Sequence, residues 1–267
     1  MPNLTVGPIS IHYELHGEGP PVVLLSGFVA GASIWQPVKS LLASEHTCLV
    51  LDNRGVGRTD APAGAYSIEM LAADVEGLMT GLGIRRPLVV GHSMGGFVAM
   101  MLALSRAVPP AGLVLISTAA SGISRETGIS QAAIHALFRA RGPRREIVQG
   151  VLDLGLGADI RQRPGRVDEI RRLLLASMPS PSGFLGQKAA VETFDIRSRL
   201  QDIEVPCRIV HGEEDAILPV SNGAYLRDAL PEASLRIIPG VGHFPHLEVP
   251  EMVAEEIVQY FRLVSIS

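Results

Sequence analysis

The chain has 267 residues, of which 47% are apolar and 19% are charged, and these proportions exclude extensive disorder. Its length allows one large or two small domains and is sufficient for a sizeable hydrophobic core. With 23 lysine and arginine residues against 27 aspartate and glutamate residues, the net charge of −4 argues against a nucleic-acid binder that neutralises phosphates.

The predicted elements begin with segments 4–6 and 9–15, which flank Gly7-Pro8 and favour an antiparallel hairpin at one edge of a sheet. Short apolar runs then recur and predict strands that are buried on both faces: 21–25, 47–51, 86–90, 112–116, 207–211 and 235–238. Amphipathic stretches between and after them predict helices, including 68–82, 94–106, 221–229 and 252–261. This alternation indicates an α/β fold with a mostly parallel, twisted sheet flanked by helices.

Residues 121–200 interrupt this alternation, because they contain helical segments and no convincing strand. We predict that they form a helical cap inserted in a core domain made of residues 1–120 and 201–267. The cap holds 13 basic and 8 acidic residues, a net charge of 13 − 8 = +5, which leaves −9 for the core. Two interpretations are open: a solvated, charged lid, or a surface that attracts an anionic substrate group or an acidic carrier protein.

The sequence contains few signs of a membrane, secreted or metal-binding protein. No window has the roughly 18 apolar residues of a membrane helix, and residues 1–10 lack the pattern of a secretion signal. Cys48 and Cys207 lie in apolar runs without metal-ligand spacing, so we expect two buried core residues. We therefore predict a cytoplasmic protein that has no metal or cofactor and whose oligomeric state is open.

A Gly-His-Ser-Met-Gly sequence at 91–95 follows a predicted buried strand and opens a predicted helix. This context favours a nucleophile elbow, in which Ser93 lies on a sharp turn between the strand and the helix. The glycines have a steric reason, since a tight turn against neighbouring elements leaves no space for a Cβ. The pattern alone is weak, and its value depends on the residues that follow it.

A serine hydroxyl needs an adjacent base, usually histidine oriented by a carboxylate, to act as a nucleophile at neutral pH. Asp215 lies just after a predicted strand, and His243 lies just after the next one. All three side chains would project from the carboxyl edge of the sheet, where open α/β folds place their sites. Glu213 and Glu214 are alternative candidates for the acid.

The chain resembles the α/β-hydrolase fold proteins of the esterase, lactonase and haloperoxidase-like branch. The resemblance spans nearly the whole chain except the cap, and it rests on residues 24–28 with Trp35, 52–59, 91–96, 212–219 and 242–243. It implies an α/β-hydrolase fold with Ser93 as nucleophile, His243 as base and Asp215 as orienting acid. It also implies an oxyanion hole made by the backbone N–H groups of Phe28 and Met94.

One position departs from the pattern of that family. Its members usually carry His-Gly after the first parallel strand, whereas this chain has Ser26-Gly27. A backbone donor at Phe28 does not depend on the side chain at position 26. The hydrogen bonds that the usual histidine makes to hold the loop must therefore be absent or replaced.

Other polar residues near the motifs have plainer interpretations. Asp52 and Arg54 look catalytic by charge, but the resemblance makes them a buried brace beside the elbow. We expect His92, His211 and His246 to stabilise loops, because one catalytic imidazole is sufficient. The remaining histidines have no partner pattern and are expected in surface or core roles: His12, His16, His46 and His135.

These residues predict a cofactor-independent serine hydrolase that cleaves a small carboxylic ester or lactone through an acyl-enzyme. Other activities stay open within the enzyme class: perhydrolase or haloperoxidase-like reactions, thioester hydrolysis and carbon–carbon bond hydrolysis. Dehalogenase and epoxide-hydrolase chemistry is disfavoured, because similar proteins with those activities carry aspartate at the elbow. From a different class, a ligand sensor with little turnover would retain the same three residues.

Overall fold

The computed structural model of the chain describes residues 2–105, 107–123, 127–138 and 144–264. Eight strands form one sheet in the order β1-β2-β4-β3-β5-β6-β7-β8. Their bounds are β1 Asn3–Val6, β2 Ile9–His16, β3 Pro21–Leu25, β4 Thr47–Leu51, β5 Leu88–His92, β6 Gly112–Ile116, β7 Cys207–Gly212 and β8 Ala233–Ile238. The mostly parallel α/β architecture predicted from the sequence is confirmed, because β4, β3 and β5 to β8 pair in parallel.

The antiparallel part of the sheet is confined to one edge, as the sequence predicts. Val6 pairs with Ile9 across the turn between β1 and β2, and Gly7 in that turn has a φ of +54°. Glycine adopts this left-handed conformation without the steric cost of a Cβ. Strand β2 then pairs antiparallel with β4, which joins the hairpin to the parallel sheet.

Eleven α-helices occur in the described parts of the chain. The core helices are α1 Gln36–Leu42, α2 Ile68–Gly81, α3 Met94–Ser105, α9 Ser221–Ala229, α10 Pro245–Glu248 and α11 Pro250–Val264. The segment between β6 and β7 contains α4 Gln131–Phe138, α5 Arg144–Gly155, α6 Ala158–Arg161, α7 Pro164–Leu175 and α8 Pro181–Thr193. The sequence did not predict α1 or the 3-10 turn Ala32–Trp35 that precedes it.

The central strands are buried on both faces because helices cover the sheet on both sides. Every residue of β5 and β6 is buried, and α3 packs against both strands. Trp35, the single tryptophan of the chain, is completely buried. Cys48 and Cys207 are also buried and free, which confirms them as core residues.

We call residues 121–200 the cap segment. Its two ends meet, because Gly122 N–H donates to the Phe194 carbonyl at 2.9 Å and Ile196 N–H donates to the Ala120 carbonyl at 3.0 Å. An isolated antiparallel bridge between Ser121 and Asp195 lies between these bonds. The segment that contains α4 to α8 therefore begins and ends at adjacent, hydrogen-bonded positions. The chain then forms a 3-10 helix, Arg197–Asp202, before β7.

Among the residues that the structure describes, no helix combines the length and the apolar character required to span a membrane.

Candidate active site

The turn between β5 and α3 places Ser93 in a conformation that non-glycine residues rarely adopt. Its φ is +54°, and its N–H donates to the Ile116 carbonyl of the neighbouring strand at 2.9 Å. The Ser93 carbonyl accepts a hydrogen bond from the Thr118 hydroxyl at 2.8 Å, so the peptide groups before and after Ser93 are both held. A strained backbone held from both sides directs one side chain out of the sheet edge, and α3 begins at the next residue, Met94.

The loops after β7 and β8 bring Asp215 and His243 together in a buried pair. His243 Nδ1 lies 2.8 Å from Asp215 Oδ2, and both residues are buried. Asp215 Oδ1 accepts the N–H groups of Ile217 at 2.9 Å and Leu218 at 2.8 Å. In a neutral imidazole, a proton on Nδ1 leaves Nε2 as the acceptor, so this pair sets the ring up to take a proton at Nε2.

The carboxylate of Asp215 stays ionised in this environment. Burial alone would raise its pKa, but the charge of His243 and the hydrogen bonds from His211 and His243 lower it to about 2. Of the two alternative acids, Glu213 is exposed and Glu214 accepts the N–H of Ala158 at 2.7 Å. The structure therefore pairs Asp215, and neither glutamate, with the imidazole.

Ser93 and His243 line the same cavity between the sheet edge and the cap segment. Within the described ranges, no hydrogen bond joins the Ser93 hydroxyl to the His243 imidazole. Such bonds are often long in enzymes without substrate and tighten in the substrate complex.

The loop after β3 lies directly against the elbow. A Cβ at Gly27 would lie 3.1 Å from both the Ser93 Cβ and His92 Nδ1, so glycine permits this close approach. The next residue, Phe28, lines the cavity together with Met94 at the start of α3. The N–H of Met94 is among the first N–H groups of that helix, which have no acceptor within the helix.

Ser26 holds this loop in place of the usual histidine. Its hydroxyl donates to the Gly31 carbonyl at 2.9 Å, and its carbonyl accepts the Asn53 amide at 3.1 Å. Sequence reasoning missed a second restraint, Gln187 of α8, whose side chain accepts the N–H of Val29 at 3.0 Å. No local pattern could identify it, because positions 29 and 187 are 158 residues apart.

Two of the three other histidines near the motifs, His92 and His211, contact loop carbonyls, as expected from the sequence. His92 Nε2 donates to the His243 carbonyl at 2.8 Å, and His211 Nε2 lies 2.8 Å from the Leu218 carbonyl and 3.3 Å from Asp215 Oδ2. The third, His246, differs from the expectation: its ring centroid lies 4.7 Å from that of Trp35, and neither ring nitrogen has a hydrogen-bond partner among the described residues. Burial lowers the pKa of His92 well below its ordinary value and that of His246 to about 3, so both rings are neutral.

Asp52 and Arg54 form a brace, as the sequence indicates. Asp52 Oδ1 accepts the N–H of Ala32 at 2.8 Å and Oδ2 accepts that of Arg58 at 2.9 Å. Arg54 makes a two-pronged ion pair with Asp74 at 2.6 and 2.7 Å. Neither side chain lines the cavity.

Glu248 is a second residue that sequence reasoning missed. Its buried carboxylate accepts the N–H groups of Gly242 at 3.1 Å and Phe244 at 3.4 Å, on either side of His243. It also accepts the N–H of Gly157 from the cap segment at 3.0 Å. One carboxylate thus connects the loop of His243 to the cap.

Residues 22–256 match the sequence profile of a known family, described as "Alpha/beta hydrolase family". The chain belongs to the alpha/beta hydrolase family. In keeping with that membership, the eight-stranded, mostly parallel sheet with flanking helices is an alpha/beta hydrolase fold.

Relatives of this alpha/beta hydrolase carry several hydrolase names. A protein of Variovorax paradoxus (strain S110), named "Putative carbamate hydrolase RutD", is 31% identical over 87% of this chain and 89% of its own length. The solved structure of Est816, described as an N-acyl homoserine lactone degrading enzyme, is 31% identical, with a TM-score of 0.82 over 97% of this chain and 100% of its own. A thermophilic esterase from Thermogutta terrifontis is 28% identical, with a TM-score of 0.86 over 99% of both chains.

Proposed function

We propose that the protein is a serine hydrolase that cleaves a carboxylic ester or lactone, with Ser93, His243 and Asp215 as its catalytic triad. The observation that supports this most strongly is that a serine at positive φ and a buried Asp215–His243 pair face one cavity. Three segments that are distant in the sequence are folded onto one point. No purely structural role requires a strained serine and a carboxylate-bound imidazole at the same cavity.

The proposed reaction begins when Ser93 Oγ attacks the carbonyl carbon and His243 Nε2 takes the hydroxyl proton. Asp215 holds the proton on Nδ1 and stabilises the imidazolium. The negative charge that develops on the carbonyl oxygen is received by the N–H groups of Phe28 and Met94. Both residues line the cavity: Phe28 lies in the loop after β3, and Met94 is the first residue of α3.

The tetrahedral intermediate collapses when the bond to the leaving oxygen breaks. His243 returns its proton to that oxygen, and the alcohol leaves while the acyl group stays on Ser93. Water then attacks the acyl carbon while His243 takes its proton. The bond to Ser93 Oγ breaks, His243 returns the proton to Oγ, and the carboxylic acid is released. In a lactone the alcohol and the acid are parts of one product.

The choice of an ester or lactone rests on the lactone-degrading enzyme and the esterase, which resemble this chain over nearly its full length. A second candidate is a carbamate, because the relative from Variovorax paradoxus carries that name. A carbamate carbonyl is open to the same attack by Ser93. We also propose that residues 121–200 act as the cap of a core made of 1–120 and 201–267. The cytoplasmic location stays a prediction from the sequence.

The substitution Ser93→Ala tests the proposed function. Removing the nucleophile lowers kcat on short 4-nitrophenyl esters by about 10⁴–10⁶-fold if the reaction passes through an acyl-enzyme. Circular dichroism and the thermal midpoint check that the variant is folded. A variant that retains most of its activity contradicts the assignment of Ser93. A wild-type protein that binds esters without repeated turnover instead supports a ligand sensor.

A further inference from the structure

The cavity at Ser93 has an apolar lining contributed by both the core and the cap segment. The core supplies Phe28 and Phe97, and the cap supplies Val148 and Val151 of α5 together with Leu174 of α7. In the part of the chain that the structure describes, the polar side chains on this lining are those of His92, Ser93 and His243. The described lining therefore offers polar side chains only beside Ser93 and His243, where the reacting carbonyl would lie.

Several arginine side chains of the cap segment bond to residues that do not line the cavity. Arg166 pairs with Glu169 and donates to the Leu247 carbonyl, and Arg171 pairs with Asp168. Arg161 donates to two backbone carbonyls of the cap itself. Among the described residues, no lysine or arginine lines the cavity, and Arg125, Arg139 and Arg141 lie outside the described residues.

A charged substrate group would lose its hydration in this cavity without gaining a partner. Burial of an unpaired carboxylate or ammonium is unfavourable by several kcal/mol even after relaxation of the protein. Hydrocarbon, in contrast, is stabilised by leaving water for an apolar lining. The lining thus discriminates between acyl groups by their charge more strongly than by the exact length of their hydrocarbon chain.

We propose that this cavity binds an uncharged, apolar acyl group and excludes acyl groups that end in a charge. This inference rests on the proposed function, because it identifies the cavity as the acyl site of the Ser93 reaction. It also bears on the two interpretations of the basic cap: none of the arginines in the described residues lines the cavity where an anionic acyl group would lie. Val151 at the cavity face of α5 is then a residue that determines specificity.

A matched pair of substrates tests the inference on the wild-type protein. The 4-nitrophenyl ester of hexanoic acid and the mono-4-nitrophenyl ester of adipic acid share a six-carbon chain and differ in a terminal carboxylate. We expect kcat/KM to be at least about 100-fold higher for the hexanoate, at both 50 mM and 500 mM salt. A ratio below about threefold overturns the inference.

The failure of this inference is distinguishable from that of the proposed function. If Ser93→Ala abolishes hydrolysis of both esters while the wild type uses them equally, only the inference about the acyl group is wrong. If Ser93→Ala hydrolyses both at the wild-type rate, the proposed function is wrong. The two readouts come from the same assay.

Two lysine substitutions on α5 test whether the cavity lining causes the preference for the uncharged ester. Val151→Lys adds a cation at the cavity, whereas Gln149→Lys adds one at a residue of the same helix that bonds to Asp153 and Arg171 instead. We expect Val151→Lys to raise the adipate-to-hexanoate ratio at least tenfold and Gln149→Lys to leave it within twofold. Equal effects from both variants show that long-range charge, rather than the lining, controls the choice.

An independent observation concerns the loop that carries Phe28. Val29, the next residue, has a φ of +56°, which is an outlier for a β-branched side chain. Its N–H donates to Gln187 Oε1 at 3.0 Å, and Gln187 Nε2 donates to the Arg54 carbonyl at 2.9 Å. The amide of Gln187 is completely buried, so the cap helix α8 ties two core loops together at this point.

We infer that Gln187 is a positioning residue for the oxyanion hole and that it aligns the Phe28 N–H by holding Val29. The inference rests on the proposed function. It explains how a loop without the usual histidine keeps its shape, since the Ser26 hydroxyl bonds to the Gly31 carbonyl across the loop and Gln187 holds the strained Val29 between them. The cap thereby contributes to the reaction as well as to the walls of the cavity.

Gln187→Met removes both hydrogen bonds at similar volume. We expect kcat to fall about 10–100-fold with KM changed less than threefold, because the lost alignment affects the transition state. Affinity for a trifluoromethyl ketone analogue of the ester should fall by the same factor as kcat/KM. Gln149→Leu, on the outer part of the cap, serves as the control and stays within twofold in both measurements.

Two results overturn the inference about Gln187. One is a Gln187→Met variant within threefold of the wild type in kcat and in affinity for the ketone. The other is a variant that loses thermal stability while the ratio of ketone affinity to KM stays constant, which indicates a structural role only. Labelling of Ser93 by a phosphonate in the variant shows separately that the proposed function still holds.

Discussion

Both carboxylate oxygens of Asp215 have hydrogen-bond partners, and the partners of each oxygen have a different role. The backbone N–H groups of Ile217 and Leu218 hold Oδ1, which fixes the rotamer of the carboxylate. Oδ2 is then left in place for His243 Nδ1 and, at 3.3 Å, for His211 Nε2. The orientation of the imidazole is therefore determined by the turn 215–218 as much as by the pair itself.

Asp215→Asn keeps this shape and changes the hydrogen-bonding pattern. An amide nitrogen facing Nδ1 favours the wrong tautomer of His243, so we expect kcat/KM to fall by about 10²–10⁴-fold. Steady-state hydrolysis of 4-nitrophenyl esters measures it. Glu214→Gln is the control, because Glu214 is exposed and bonds to the cap backbone, and it should change kcat/KM less than threefold. A similarly small effect of Asp215→Asn contradicts the pairing.

The sequence was sufficient to predict Ser93, Asp215 and His243 as candidates, because each follows a buried strand and parallel strands end at one edge. It was not sufficient for Gln187 and Glu248. Their roles arise from hydrogen bonds to backbone N–H groups in distant loops, and backbone partners leave no mark on the sequence. The same applies to the Ser26 hydroxyl, whose acceptor is a carbonyl five residues away.

The elbow between β5 and α3 depends on backbone contacts that exclude side chains. A Cβ on Gly95 would overlap the carbonyl of Leu25 in β3, and a Cβ on Gly91 would overlap the carbonyl of Gly95. These overlaps involve main-chain atoms, which cannot move without displacing a strand. The glycines therefore permit α3 to pack directly on the sheet.

Gly95→Ala should accordingly destabilise the protein, by about 3 kcal/mol, because an added methyl in a packed site forces backbone shifts. Gly150→Ala on α5 is the matched control, since a Cβ there meets no atom within 4 Å. Alanine is the better helix former, so we expect that control to gain up to about 1 kcal/mol. Urea denaturation measures both, and equal effects at the two positions contradict the account of the elbow.

Elements with a regular pattern of apolar residues were predictable from the sequence. Elements that are stabilised by tertiary contacts were less predictable. The strands and the helices α2, α3, α9 and α11 were found within a few residues. The 3-10 turn Ala32–Trp35 and α1 were missed, because Gly31 and Pro37 suggest a loop and the segment is ordered by burial of Ile34 and Trp35. In the cap segment, apolar residues face both the core and the cavity. The sequence pattern therefore predicted helices there but not the residues at which they begin and end.

On the scale of the whole molecule, Glu248 connects the cap to the loop of His243. Burial raises its pKa to about 7, opposed by the N–H groups of Gly157, Gly242 and Phe244 and aided by the charge of Asp215. The folded protein therefore holds a proton that the unfolded chain releases above its ordinary pKa of 4.5. This group contributes stability that is fully present below about pH 4.5 and lost as the pH rises to about 7.

Comparison of the wild type with Glu248→Gln isolates this contribution. Buried His92 and His246, whose pKa values are lowered, affect both proteins equally and give the opposite slope. We expect the free energy of unfolding of the wild type, minus that of the variant, to decrease between pH 5 and pH 8. Urea denaturation of both proteins at four pH values measures this difference. A difference that increases with pH contradicts a raised pKa for Glu248.

The arrangement of the cap on the core could not be predicted from the sequence, because it depends on contacts between distant residues, such as Gly157 with Glu248 and Val29 with Gln187. The sequence showed that the cap segment is positively charged, but it did not show toward which surface the basic side chains point. The structure pairs several of the described arginines with acidic side chains and carbonyls of the cap, and Arg166 also with the Leu247 carbonyl of α10. Charge counted along a chain says nothing of the face on which it lies.

The central claim is that Ser93 is a nucleophile that His243 activates. A fluorophosphonate probe, followed by digestion and mass spectrometry of the peptides, measures this most directly. The account predicts one adduct, on Ser93, which His243→Ala slows by orders of magnitude and Ser93→Ala abolishes. An adduct on another residue, or labelling of Ser93 at the same rate without His243, would contradict it.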